Sequence, residues 1–230
     1  VHQATELGIY LNNGSQVFTA QPTVFVGATS TEIIVNDFNT DNKKDIVVTD
    51  YDGNRVCVAL GNGNGTFQSY IAYSANGKCY HAVYADFDND TRGDLVTANN
   101  QLLGNISFLK GQADGSFGSY SLRTGQRPTA IAVGLVNNDA FEDLVVVHNQ
   151  QKRVATLLGN GDGTFQNTLL DSSWWAMSSV ELGDFNNDLK LDLVAVGSAT
   201  NILSGNNTGH FTVLGNLNTG FAGGGDYSST

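Results

Sequence analysis

Four acidic segments return along this chain at one fixed interval, and no other feature limits its architecture as strongly. DFNTDNKKD begins at residue 37, DFDNDTRGD at 86, LVNNDAFED at 135 and DFNNDLKLD at 184, an interval of 49 residues each time (86 − 37, 135 − 86, 184 − 135). A short apolar stretch precedes each (Ile33 to Val35, Ala82 to Tyr84, Ile131 to Val133, Val180 to Leu182) and another follows (Ile46 to Val48, Leu95-Val96, Leu144 to Val147, Leu193 to Val196). The acidic segment therefore reads as a loop between two strands. Farther along each unit comes a Gly/Asn turn: GNGNGTF at 61 to 67, GQADGSF at 111 to 117, GNGDGTF at 159 to 165 and GNNTGHF at 205 to 211, with a degenerate LNNGSQVF at 11 to 18. Glycine and asparagine supply the positive φ that tight hairpins require. No segment carries a 3.6-residue apolar period, so helix content is expected near nil.

Each unit then reads strand, acidic loop, strand, turn, strand, Gly/Asn turn, strand. One four-stranded antiparallel sheet cannot bury both its faces alone, so equivalent sheets must stack, and a period of about 40 to 50 residues with four strands marks propeller blades. The predicted fold is all-β: a β-propeller of four-stranded antiparallel blades, with repeats from about 23–72, 73–121, 122–170 and 171–216 and a Gly-rich tail at 217–230. Residues 1–22 form an N-terminal half blade, because VHQATELGIYLNNG aligns with VHNQQKRVATLLGN at 147 to 160. The closing Tyr227 to Thr230 resembles Met177 to Val180, the approach to a first strand. The chain thus supplies about five blades or is a fragment of a larger propeller. The half blade is completed by the tail or by another molecule, or the array continues.

Composition narrows the partners. Two hundred and thirty residues, 40% of them hydrophobic, suffice for a buried core, and no apolar run reaches the roughly 18 residues that span a bilayer. Eleven Lys+Arg against 22 Asp+Glu leave a net charge of −11, the wrong sign for nucleic acid or an anionic lipid surface. Cations are the expected small partners. The chain starts at Val1 with no apolar leader, as expected of a mature or excised chain. The sequons at Asn13, Asn64, Asn89, Asn105 and Asn206 permit N-glycosylation of an extracellular, secreted protein. Cys57 and Cys79 are either one bridge or two small buried hydrophobes, and sequence leaves both open.

The acidic loops carry the chemistry. Oxygens at the first, third, fifth and ninth positions, with a carbonyl near the seventh, can converge on one cation while the chain turns around it. Oxygen donors without His or Cys point to Ca²⁺. The first loop offers Asp37, Asn39, Asp41 and Asp45, the second Asp86, Asp88, Asp90 and Asp94, and the fourth Asp184, Asn186, Asp188 and Asp192. About three Ca²⁺ sites result. The third loop has Leu135 at the first position and keeps only Asn137, Asp139 and Asp143. An EF-hand is excluded, because no Glu stands at position twelve and strands flank the loops. The competing reading is a metal-free turn held by side-chain to backbone hydrogen bonds.

At these residues the sequence resembles the FG-GAP and VCBS type repeats that build the β-propeller of integrin α subunits and many secreted proteins. The resemblance covers nearly the whole chain. It implies a propeller with Ca²⁺ between the first and second strands of a blade, and a role in adhesion or ligand binding. The sixth loop position, usually Gly in such repeats, is Asn42, Thr91, Ala140 and Leu189 here, and Leu189 fits poorly if positive φ is needed there.

Arg92-Gly93-Asp94 spells an adhesion tripeptide, but Asp94 is committed to the loop. Phe38, Phe87, Phe185 and Val136, all at the second loop position, are expected to plug the core. GNGNG at 61 to 65 lacks the Lys and following helix of a phosphate-cradling loop. Trp174 and Trp175 fall in a blade-to-blade connection on the rim opposite the acidic loops, placed either to bind a sugar or protein or to pack between blades. The four histidines are scattered and no catalytic arrangement gathers, so no enzyme is expected. The expectation is a calcium-binding adhesion or recognition module for an extracellular protein or glycan ligand. Its alternatives are a subunit of an extracellular assembly that self-associates through the incomplete blade, and a carbohydrate-binding domain of a larger secreted protein.

Overall fold

The computed structural model describes residues 6–216 apart from Ala28, Leu103, Arg123 and Trp174. Residues 1–5 and the Gly-rich tail at 217–230 lie outside the described residues. The described chain is all strand and turn. Four antiparallel sheets follow one another, each pairing its strands in sequence order: β5 to β8 (Ser30–Asn36, Asp45–Asp50, Arg55–Ala59, Ile71–Ser74), β9 to β12 (Cys79–Ala85, Asp94–Asn99, Asn105–Gly111, Phe117–Leu122), β13 to β16 (Pro128–Gly134, Asp143–His148, Arg153–Leu157, Leu169–Ser172) and β17 to β20 (Met177–Gly183, Asp192–Gly197, Thr200–Gly205, Phe211–Asn216). Before them an interrupted hairpin pairs β1 (Glu6–Leu7) with β4 (Val24–Phe25) and β2 (Tyr10–Asn12) with β3 (Phe18–Ala20). This hairpin packs Leu7 and Ile9 against the core of the first sheet, at the place expected for the half blade.

The sheets are propeller blades. First strands stand side by side, β5 against β9, β9 against β13 and β13 against β17, and second strands also touch the next blade's first strand. The second strands β6, β10 and β14 are therefore sandwiched between two neighbours, which explains their continuous apolar runs. In β6, Ile46 and Val48 join the cluster facing the half blade, while Val47 joins the one facing the second blade. In β14, Leu144 and Val146 face back and Val145 and Val147 face forward. Four such clusters lie between successive sheets, and they are the core. By contrast Val196 in β18 and Leu214 in β20 are exposed, because no sheet among the described residues covers that side of the fourth blade. Cys57 and Cys79 are buried and free, one in each of two different clusters. Burial pushes the Cys57 thiol up to about 11.

No helix among the described residues is long and apolar enough to cross a membrane.

Candidate metal-binding loops

Each acidic loop joins the first strand of a blade to the second, and its ninth residue opens that second strand: Asp45, Asp94, Asp143 and Asp192 begin β6, β10, β14 and β18. These four carboxylates are buried and make one repeated pair of bonds. One oxygen accepts the amide of loop position two, from Phe38 at 2.8 Å, Phe87 at 3.1 Å, Val136 at 2.9 Å and Phe185 at 3.1 Å. The other accepts the amide of a glycine at or two residues past the end of the third strand, from Gly61 at 2.7 Å, Gly111 at 2.8 Å, Gly159 at 2.8 Å and Gly205 at 3.0 Å. The ninth Asp thus staples loop, second strand and third strand together. Reading the acidic set as ligands alone overlooked this, although the same residue recurs in the ligand-poor third loop.

The glycines follow from the same contact. A Cβ on Gly61, Gly111, Gly159 or Gly205 would lie 2.0–2.3 Å from the carbonyl oxygen of loop position eight (Lys44, Gly93, Glu142, Leu191). Close approach, not positive φ, requires glycine here; φ is positive farther along the turn, as at Gly63 and Gly163.

The remaining oxygens fold the loop around itself. Position one takes the amides of positives five and six through separate oxygens: Asp37 from Asp41 and Asn42, Asp86 from Asp90 and Thr91, Asp184 from Asp188 and Leu189. Position three takes the amide of five, and five takes the amide of seven. The cost is backbone strain, since positions four and six are left-handed in these three loops (Thr40, Asn42; Asn89, Thr91; Asn187, Leu189). Leu189 adopts φ 66° and is 91% exposed. The third loop has neither the first Asp nor left-handed residues at Asn138 and Ala140. There Asn137 donates to Asp139 at 2.7 Å.

Position seven adds a cation in the other three loops: Lys43 on Asp41 and Lys190 on Asp188, each at 3.0 Å, and Arg92 on Asp90. The Lys43 hydrogen bond holds Asp41 below the usual carboxylate range, and the Lys190 hydrogen bond does the same for Asp188. Burial acts the other way on Asp94, pushing it up to about 6 against the pull of its two amides, with Asp88 and Asp90 adding repulsion. In the second loop, carboxylate oxygens of Asp86, Asp88 and Asp94 all lie within 4.8 Å of one another. That donor set, hard oxygens only, fits a divalent cation of the Ca²⁺ type. Among the described residues no other loop gathers three acidic groups this closely.

The second loop position serves the next blade. Phe38 packs edge-on against Tyr84 and Phe117 of the next blade, and Phe87 against Phe108 of its own blade and Phe165 of the next, with ring centroids 5.1–6.0 Å apart. The carbonyl of the same position accepts an amide from the following blade's hairpin turn, Phe87 from Gly163 and Val136 from Gly209, both at 3.1 Å. Phe185 departs from the expected plug: it is 53% exposed, because no described sheet follows its blade.

Arg92-Gly93-Asp94 is not a presented peptide, since Asp94 is buried and Gly93 lies against the Tyr84 ring. Trp175 sits exposed between β16 and β17, its carbonyl accepting the Ser173 hydroxyl at 2.9 Å; Trp174 lies outside the described residues. Of the sequons, Asn13, Asn64, Asn89 and Asn206 are exposed, whereas Asn105 accepts a hydrogen bond from buried Asn99 and its sequon partner Ser107 is buried.

Repeated four-stranded blades with stapled acidic loops define a repeat propeller, and comparison with known proteins names the repeat. The sequence profile of FG-GAP-like repeats matches residues 37–97 and 136–195, more than half of the chain. The chain belongs to the FG-GAP-like repeat family. A search of curated protein sequences finds no match. Among solved structures it is similar to a lectin of Agrocybe aegerita, described for specific recognition of non-reducing terminal N-acetylglucosamine, with 20% identity and a TM-score of 0.58 over 89% of this chain and 58% of the lectin. It is also similar to BBS1N, solved in complex with ARL6DN, with 10% identity and a TM-score of 0.56 over 91% of this chain and 62% of the other. At such identities the likeness is one of fold. The chain spans about three fifths of each of these structures.

Proposed function

We propose that this propeller is a secreted, calcium-pinned recognition module that binds an extracellular protein or glycan and does no chemistry of its own. The approach of the Asp86, Asp88 and Asp94 carboxylates within 4.8 Å carries the calcium part. Asp86, Asp88, Asp90 and Asp94 would hold the ion in the second blade, with Asp37, Asn39, Asp41 and Asp45, and Asp184, Asn186, Asp188 and Asp192, as the corresponding sets. The ion supplies charge neutralisation where like carboxylates crowd, and it stabilises the fold by mass action because the unfolded chain lacks the site. The exposed Trp175 on the opposite rim and the lectin likeness favour a glycan ligand.

Calorimetric calcium titration and melting with and without chelator test the metal. Asp86→Ala is expected to lower the calcium-dependent stability more than Asp139→Ala; equal effects, or no bound calcium with an unchanged Tm, reject the reading. Glycan-array binding that disappears in Trp175→Ala supports the ligand class. A second reading, assembly through the incomplete blade, is favoured by the exposed Tyr10, Phe18 and Phe25 of the half blade. A monodisperse monomer in sedimentation counts against it.

A further inference from the structure

The second loop differs from its equivalents in two positions at once. Loop position three is Asp88, where the other blades have the neutral Asn39, Asn137 and Asn186. The residue before the staple glycine of the third strand is Lys110, where the others have Leu60, Leu158 and Ser204. The extra negative charge and the extra positive charge therefore arrive together in one blade. They meet: the Lys110 ammonium contacts Asp88 Oδ2 and lies 3.6 Å from Asp90 Oδ2. Only 5% of the Asp88 side chain is exposed, so this carboxylate is buried under its partner, and a buried carboxylate without a counter-charge is costly. Its other oxygen, Oδ1, is taken by the Asp90 amide at 3.3 Å. The Asp88 oxygen that no backbone amide occupies is the one the ammonium holds.

We propose that Lys110 is a resident cation of the second loop. It neutralises Asp88 while the loop is free of metal, and it must leave that oxygen for a calcium ion to bind. Lys110 thereby sets the affinity of this loop and keeps it folded at low calcium, which the loops of the first and fourth blades cannot do in this way. The proposal rests on the calcium reading above.

The test compares the wild type, Lys110→Leu (the residue that blades one and three carry there), Lys110→Gln and Lys110→Leu/Asp88→Asn. Calcium is titrated while the amide resonance of Gly111 is followed, since that amide donates to Asp94 and reports on this loop alone. Removing one charge-assisted contact that competes with the ion is expected to tighten calcium binding about tenfold in both single variants. With chelator present, Lys110→Leu is expected to melt below the wild type and the double variant to recover the loss. Unchanged or weaker calcium binding in the single variants overturns the proposal, as does a chelator-state loss that Asp88→Asn leaves in place. If the Gly111 resonance moves in neither the wild type nor the variants, calcium binding at the second loop is refuted and the proposal falls with it. A response in the variants alone supports both.

Discussion

Replacing Asp143 with alanine isolates the staple from any metal, because the third loop lacks the first Asp. The Asp143 carboxylate is buried and accepts the amides of Val136 and Gly159 at 2.9 and 2.8 Å. A buried donor left without an acceptor costs about 1–3 kcal/mol, and the variant strands two. Part of that is offset, since burial makes the charged carboxylate unfavourable. A net loss of roughly 1–3 kcal/mol is expected at pH 7. The pH dependence sharpens the test. Burial pushes Asp143 from its ordinary 3.8 up to about 6, so between those values the folded chain binds more protons than the unfolded one. The contribution is fully present below the lower value and is lost as pH rises through about 6. Lowering the pH from 7 to 5 should therefore strengthen the wild type relative to Asp143→Ala by about 1.4 kcal/mol, one unit of titration. Urea unfolding of both proteins in chelator at the two pH values measures this. An undiminished stability at pH 7, or a gap between the proteins that narrows at pH 5, refutes the reasoning.

Two further outcomes follow from burial and backbone strain. Phe87→Ala removes a ring packed between two blades and should cost about 3–5 kcal/mol, whereas the equivalent Phe185→Ala, at an exposed position, should cost less than about 1 kcal/mol; comparable losses in chemical denaturation would contradict the plug assignment. Leu189→Gly relieves a left-handed leucine with almost no buried surface and should stabilise by about 0.5–1 kcal/mol after the extra chain entropy of glycine is counted. A lower Tm would show that the leucine is held there by contacts.

The repeat made the blades legible, because a residue that must be buried on both faces of a second strand leaves an uninterrupted apolar run at a fixed interval. It also located the loops and the loop without a full ligand set. Two things were hidden. The ninth Asp looked like one ligand among four, yet in every blade its two oxygens hold backbone amides; its presence in LVNNDAFED, beside a missing first Asp, was the available signal. The fate of Phe185 was also hidden, because composition and spacing make it identical to Phe38 and Phe87. Only the identity of the neighbouring sheet separates a plug from an exposed ring. The Asp88–Lys110 pair was written in the repeat as a double departure, but the two positions lie 22 residues apart and the link between them is tertiary.

The bond from the hairpin turns of the third and fourth blades to the preceding loop, Gly163 to Phe87 and Gly209 to Val136, has a mechanical consequence. Pulling on the outer edge of one blade draws directly on the acidic loop of the blade before it. An ion seated in the second loop would act there as a rivet: the force needed to peel the third blade away should rise with calcium, while the resistance of the fourth, which leans on the loop without a full ligand set, should not.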